Sequence, residues 1–355
     1  MKSKKIFFAF IISTISIIFI AFLSAFIFVK TQIKPVSSLQ EETPVQFEIS
    51  YGESTKKIAT NLQNKNLIKN ADLFYYFVRY PKLFDIFEKS DLQKENFVLK
   101  SGIYYLSSNM SYSQIIKELS SGQQEFIKIA IPEGHTVSKI ARLLEQNQIC
   151  KAQDFINICI DQNFLQENNI SSLSAEGYLF PDTYFLNKNM KASFVAELMI
   201  KNFFKQISTI PQMQNKTPEE LDQIVILASI VEKEYRLANE APLIASVFKN
   251  RLKQNIGLYS CATLVYIITE INGEPHPDRI LIEDTKIDNP YNTYKWAGLT
   301  PGAISNPGLI ALKAAANPPK TNYYFFQVVD VEEGRHVFTS TFEEHKSNHT
   351  NYINK

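Results

Sequence analysis

The 355-residue chain has three cysteines, one tryptophan, five histidines and almost no charge surplus, with 37 Lys and Arg against 36 Asp and Glu and a formal net of +1. Each scarcity excludes something. Without a basic excess there is no electrostatic case for nucleic-acid binding, which needs a stripe of Lys and Arg against the phosphates. His135, His276, His336, His345 and His349 stand singly, none beside a second ligand at metal spacing, so no metal site and no cofactor are predicted. The last two, four apart near a polar C-terminus, read as solvated. Cys150, Cys159 and Cys261 are odd in number and form no disulfide framework. They read as small buried hydrophobes, with a Cys150–Cys159 pair left open by the spacing.

Long apolar runs are also scarce. The one present, Ile6 to Val29, carries no charged residue and at about 24 residues is long enough to cross roughly 30 Å of hydrocarbon as a helix. A cleaved signal peptide would have a core of about 7–15 residues and a small-x-small cleavage site. Here the run ends in Phe26, Ile27, Phe28 and Val29, so an uncleaved transmembrane helix over 6–29 is expected. Lys2, Lys4 and Lys5 precede it and only Lys30 and Lys34 follow closely, which places a short tail, 1–5, in the cytoplasm. The rest of the chain would then lie outside the membrane.

With 45% hydrophobic residues, that remainder has the means to bury a sizeable core. Residues 30–44 are polar, with Pro35 and Pro44, and read as a linker. A small α/β domain over 45–125 follows. Val45–Ile49 alternates as a half-buried strand, Ser54 caps a helix from Thr55 to Gln63, and Asn70 opens a second helix through about Tyr80. Tyr104–Leu106 reads as a strand and Ser111 as the cap of a helix through Leu119. This strand, turn and short helix pattern resembles a LysM-like βα module, although such units also occur in domains unrelated to glycans. The larger domain, 126–355, opens with a strand at Phe126–Ile131 and a helix from about Val137 to Gln146. It is mostly helical to about Leu252, then rich in loops, and closes with strands at Tyr323–Val329 and His336–Thr339. The expected fold class is therefore α+β: a transmembrane helix, a small βα domain, and a mostly helical domain with a short C-terminal sheet.

The most informative segment is Leu221–Arg236, LDQIVILASIVEKEYR. Ile224 to Val231 is apolar or small on every face, which marks a helix buried all round. It delivers Glu232-Lys233-Glu234 at its end. A carboxyl there is partly desolvated, its pKa rises, and it stays protonated near neutral pH as a general acid must. Glu232 and Glu234 point about 200° apart on a continuing helix, so one site does not use both.

Leu227–Glu234 resembles the signature of the YceG-like endolytic murein transglycosylases, and other segments match in the same order. These are Ile131-Pro132-Glu133-Gly134, Glu176-Gly177-Tyr178-Leu179-Phe180-Pro181-Asp182-Thr183-Tyr184, Ala245–Leu252, Asn289–Tyr294, Gly298–Ile304, Asn306-Pro307-Gly308, Phe338-Thr339 and His345. One departure stands out: where the family carries a Leu-Gln-Ser-Asp-Pro-Thr type sequence, this chain has Leu258-Tyr259-Ser260-Cys261-Ala262-Thr263. No carboxylate can act at position 261.

The resemblance implies a YceG-like catalytic domain in a bacterial cytoplasmic (inner) membrane protein, with peptidoglycan glycan strands as substrate and penicillin-binding cell-wall synthases as partners. It implies Glu232 as the catalytic acid. It also singles out Tyr184, Tyr291 and Asn292 as substrate-binding residues, with Glu176 and Glu240 beside them. Tyr178, Phe180, Tyr294 and Trp296 are further aromatic candidates and Asp182 a further acid. A glycosidase ordinarily needs two carboxylates. With one candidate only, a transglycosylase closing the sugar's own C6 hydroxyl onto C1 is favoured over a hydrolase or an inactive glycan-binding scaffold.

Overall fold

A computed structural model describes residues 2–38, 44–50, 52–83, 87, 97–121 and 127–353, with side chains from 14 to 348. Residues 39–43 of the expected linker, Phe126 and the His349 side chain lie outside the described part. The N-terminal apolar run forms one helix, α1 (Lys2–Gln32). Its stretch Thr14–Gln32 has a mean hydropathy of 2.1 and none of it is buried by protein, so it is long and apolar enough to cross a membrane.

The chain divides into two units, Met1–Phe126 and Ile127–Lys355. In the first, β1 (Val45–Ile49) is followed by α2 (Thr55–Asn64) and α3 (Ala71–Arg79), then by β2 (Gly102–Leu106) and α4 (Tyr112–Ser121). Strands β1 and β2 pair antiparallel with Phe47 opposite Tyr104. The helix starts are set by short polar side chains. Ser54 Oγ accepts from Lys57 N at 3.3 Å and Asn70 Oδ1 from Leu73 N at 2.9 Å, each satisfying an N–H with no partner inside the helix. Phe47, Leu62, Phe74, Phe77 and Leu106 bury a common core, which also takes in Ile33 just after α1.

The second unit begins with β3 (Ile127–Ala130), α5 (Val137–Gln146), α6 (Ala152–Cys159) and α7 (Gln162–Glu167). A strand that starts at the end of the Glu176–Tyr184 motif follows, β4 (Thr183–Leu186), and pairs antiparallel with β3, Ile129 opposite Tyr184. The sequence reading gives no strand here, because β4 is defined by its pairing with residues more than 50 positions earlier. Next come α8 (Ala192–Ile207), α9 (Pro218–Glu234), α10 (Ala241–Lys253), and α11 (Cys261–Tyr266), which runs on into a π-helical turn, Ile267–Ile271. The last elements are α12 (Leu309–Ala316), β5 (Phe325–Asp330), β6 (Arg335–Thr339) and α13 (Phe342–Ile353).

Helix α9 organises this unit. Thr217 and Glu220 form a reciprocal capping box and Pro218 sits in the first turn, where its missing N–H is not needed. From Val225 to Val231 every residue is buried, with α10 and α12 packed against the helix. The helix stops at Tyr235, whose extended backbone (ψ 148°) turns the chain away just after Glu234. Among the described residues the architecture is a mixture of helices and three two-stranded antiparallel sheets.

Candidate active site

Glu232 occupies the last turn of α9 and is half-buried. Its Oε2 accepts the backbone N–H of Gly308, the residue before α12, at 3.0 Å. Burial lifts its carboxyl to about 7, and the nearby Glu133 carboxylate pushes the same way. The Gly308 N–H, the Lys233 ammonium and the Tyr235 hydroxyl pull back without restoring the ordinary value. At neutral pH the group therefore divides between its acid and base forms.

The loop that presents Gly308 is fixed by buried polar side chains. Ser229, fully buried on α9, accepts Ile304 N on its hydroxyl at 3.0 Å, and its carbonyl accepts the Ser305 hydroxyl at 3.0 Å. Asn306 is the hub. Its Oδ1 accepts Gly177 N and Leu179 N, both at 2.9 Å, and its Nδ2 donates to His135 O at 2.9 Å and to Glu176 Oε1 at 2.7 Å. Gly134 N donates to Asn306 O at 2.8 Å and Asn306 N to His135 O at 2.9 Å. One asparagine thus ties together three motifs remote in sequence. Two glycines make the close approach possible. Gly177 has φ +92°, and a Cβ there would lie 2.5 Å from Val225 Cγ1. A Cβ on Gly308 would lie 1.8 Å from Glu133 Oε1, which puts the Glu133 carboxyl directly over the backbone that binds Glu232.

Other charges gather at this end of α9. Lys233 donates to Gly134 O at 3.3 Å, and burial lowers its pKa. Lys139 adds to that lowering, while Glu232, Glu270 and Glu176 oppose it. Glu270, on the π-helical turn, accepts the Ser138 hydroxyl. Single π turns interrupt helices frequently at functional sites.

The remaining sequence candidates are distributed as follows. Glu176 is buried, and burial raises its carboxyl to about 8. It accepts Val137 N on both oxygens at 3.0–3.1 Å, capping α5, and meets Asn306, so it belongs to the same loop assembly as Glu232. Tyr184 is buried on β4, its hydroxyl donating to Phe180 O at 2.6 Å and accepting Asn202 Nδ2 at 3.1 Å. Tyr291 is half-buried, its ring tilted at 35° to that of Tyr266 with centroids 5.2 Å apart, and its hydroxyl would sit 2.9 Å from a Cβ on Gly302. Asn292 is fully buried and closes its own loop, donating to Thr285 O and Ile287 O and accepting Tyr294 N. Glu240, at the start of α10, accepts His336 N at 3.1 Å and contacts His336 Nδ1 at 2.7 Å, joining β6 to α10. Glu176 is therefore brought into the Glu232 assembly, whereas Glu240, Tyr184 and Asn292 spend their polar atoms elsewhere in the fold. Tyr178 is buried with its hydroxyl on Asp222 at 3.0 Å, Phe180 is buried, Asp182 is exposed and accepts Asn202 Nδ2 at 3.0 Å, and Trp296 is exposed. All three cysteines are free thiols.

The YceG-like family model matches residues 47–351. The chain belongs to the YceG-like family. It is 30% identical over 345 residues to the endolytic murein transglycosylase of Bacillus subtilis, covering 93% of this chain and 90% of that one. It is 29% identical to the endolytic murein transglycosylase of Streptococcus pneumoniae serotype 2 over 381 residues, 98% of this chain and 65% of that protein's length. A crystal structure of a putative YceG-like protein from Listeria monocytogenes superposes with a TM-score of 0.55 at 30% identity, covering 86% of this chain and 99% of that one.

Three residues around Glu232 escape a reading of the sequence. Glu133 lies in the Ile131–Gly134 segment but carries no mark of a site, because Gly308, over which its carboxyl lies, is 175 positions away. Gly308 acts through its backbone, which no residue type announces. Tyr235 lies beyond the helical pattern, in the residue that ends α9. For Glu133 the available signal was the Glu-Gly step itself, a charged residue beside a turn glycine with φ +71°.

Proposed function

We propose that this chain is an endolytic peptidoglycan lytic transglycosylase, with Glu232 as its single catalytic acid and base. Glu232 is the observation that carries the reading: a half-buried carboxyl near pKa 7, held by Gly308 N–H at the end of a buried helix. The names of its relatives in Bacillus and Streptococcus support the same reading. In its acid form Glu232 protonates the oxygen linking N-acetylmuramic acid to the next N-acetylglucosamine while the C1–O bond breaks. The resulting carboxylate, with Gly308 N–H on it, then takes the proton of the muramic C6 hydroxyl as that oxygen bonds to C1. A 1,6-anhydro end forms, no water is consumed, and Glu232 regains its proton. Closure within one sugar needs no second molecule to be positioned. Glu133, whose carboxyl lies over the Gly308 backbone, is the acidic side chain next to Glu232 in this reading.

In this reading α1 spans the bacterial cytoplasmic membrane with residues 1–5 in the cytoplasm. The unit over 45–125 is a LysM-like glycan-binding module, and 126–355 is the catalytic domain, working beside penicillin-binding synthases to end nascent strands. Tyr291 and Glu176 would shape the sugar subsites nearest Glu232, with Tyr184, Asn292 and Glu240 holding the loops around them.

The test is mass spectrometry of purified peptidoglycan incubated with the full-length chain in detergent, wild type beside Glu232→Gln. Anhydro-muramic ends from wild type alone are expected. A second reading, hydrolysis, has one observation in its favour, the Glu133 carboxylate beside Glu232. Reducing ends that disappear in Glu133→Gln would select it.

A further inference from the structure

Helix α1 carries the small unit on its end. From Thr14 to Ala25 the apolar run is bare, but Phe26 and Val29 are half-buried and Ile33 is buried. Their spacings of three and four residues put them on one helical face. Val29 packs against the core of the small unit, and Ile33 belongs to it. The Phe26 ring lies 4.8 Å from the ring of Phe87, which packs against the same core. Just beyond the helix, Val36 N and Ser37 N both donate to Ser108 O, at 2.9 and 3.1 Å. The unit is therefore seated directly on the last turns of α1.

That seat fixes a depth. About 20 apolar residues cross the hydrocarbon of a bilayer, so a helix entering at Ile6 reaches the far boundary near Phe26. The first charge after it is Lys30, about 6 Å further along the axis. Phe87, against Phe26, is held at the same level, where acyl chains give way to headgroups. The chain arrives at Phe87 from the end of α3 through a 3-10 turn, Pro81–Leu83, that packs back on α3.

The end of α3 carries side chains suited to that level. Tyr76 and Tyr80 are 51% and 46% exposed, whereas Tyr104 and Tyr112 of the same unit are buried. The Tyr76 ring meets Tyr75 edge-on at 5.4 Å. Arg79 donates to the Tyr75 hydroxyl at 2.7 Å and lies 5.8 Å from the Tyr80 ring. Among the described residues it meets no carboxylate. Tyrosine has an apolar body and a polar tip and concentrates where a membrane meets water. A guanidinium without a carboxylate is the natural partner of a lipid phosphate.

We propose that the small unit docks on the surface of the bilayer that α1 crosses. Phe87 lies at the acyl boundary, Tyr76 and Tyr80 lie among the headgroups, and Arg79 binds a lipid phosphate. The docking rests on the reading of α1 as a membrane span and is independent of the chemistry at Glu232. The unit is then a lipid-facing foot rather than a module on a tether.

The chain has one tryptophan, Trp296, so a Trp296→Phe background lets a single fluorescent reporter be placed. The full-length chain is reconstituted in vesicles of phosphatidylethanolamine and phosphatidylglycerol. Tyr80→Trp reports the patch and Ile18→Trp, midway along the apolar run, reports α1. Lipids brominated near the headgroup end or near the tail end of the acyl chain quench by contact. Tyr80→Trp should be quenched at least about twofold more by the shallow bromines than by the deep ones, and Ile18→Trp the reverse. Replacing Tyr76 and Arg79 together by Glu, at two exposed positions, should cut the Tyr80→Trp quenching by about half or more at an unchanged melting temperature.

Three results overturn the docking while leaving α1 as a span: Ile18→Trp quenched with Tyr80→Trp untouched, Tyr80→Trp quenched more by the deep bromines, or undiminished quenching in the double Glu variant. Absence of quenching at Ile18→Trp overturns the span itself and the docking with it. A Tyr80→Trp signal that answers soluble glycan strands and not brominated lipid assigns the face to glycan, and the lipid proposal falls.

Discussion

Gly308 N lies 3.0 Å from Glu232 Oε2, and the two residues are 76 positions apart. The same glycine has room for no side chain, since Glu133 Oε1 occupies the place a Cβ would take. The backbone of one residue therefore separates and serves two carboxyls. It donates to one and lets the other approach, so that the Gly308 N–H lowers and the Glu133 carboxylate raises a Glu232 pKa that burial has already lifted.

Replacing Glu232 by Gln should lower turnover by about 10²–10⁴-fold, the usual worth of a positioned general acid. The variant should also be the more stable protein at pH 8. The folded-state pKa of about 7 lies above the ordinary carboxyl value, so stability falls as pH rises from roughly 4.3 to 7 while the folded state gives up a proton it holds more tightly. Gln removes that loss, worth up to about 2 kcal/mol after allowing for solvent screening. Urea denaturation at pH 8 measures it, and a lower midpoint for the variant would contradict the argument.

The rate should fall on the alkaline side. If the reaction starts from protonated Glu232, as proposed, kcat/KM is expected to decline above a pH of about 7. Removing the Glu133 charge in Glu133→Gln should move that decline to lower pH, since the carboxylate raises Glu232. A pH profile that stays fixed in the variant would show that Glu133 does not act on Glu232.

Gly308→Ala tests the shared backbone. Its φ of −80° suits alanine, so strain in the chain itself is not the issue. The methyl group must displace the Glu133 carboxyl, and the expected result is a loss of activity of about tenfold or more with a modest change in melting temperature. Wild-type activity in Gly308→Ala would mean that Glu133 moves aside without consequence.

Asn306→Ala and Glu176→Ala should both destabilise by about 2–4 kcal/mol, because each leaves buried donors without partners. Glu176→Gln should recover most of the loss, since an amide oxygen can still accept from Val137 N and Asn306 Nδ2. Chemical denaturation of the three variants decides whether Glu176 serves the loop assembly or the substrate. If Glu176→Gln is as stable as wild type but fails to cleave, the role lies with substrate.

Much of the local structure was legible in the residues. Ser54 and Asn70 cap the helices expected of them, Val137–Gln146 is the helix expected, and the closing strands fall at Phe325–Asp330 and Arg335–Thr339. These signals are short-ranged: a cap acts across three residues and an amphipathic face across one turn. The β4 strand was not legible, because its pairing with β3 depends on residues more than 50 positions earlier.

The sequence by itself determined that Glu232 sits at the end of an apolar helix, and burial of such a helix follows from its composition. It could not determine what meets that carboxyl. Asn306, read only as part of a loop motif, proves to join three segments through six hydrogen bonds. Glu240, read beside the substrate residues, proves to hold His336. Only the tertiary structure decided these, because a buried polar group takes whichever partner the packed chain brings within about 3 Å, and that partner is set by packing rather than by position in the sequence.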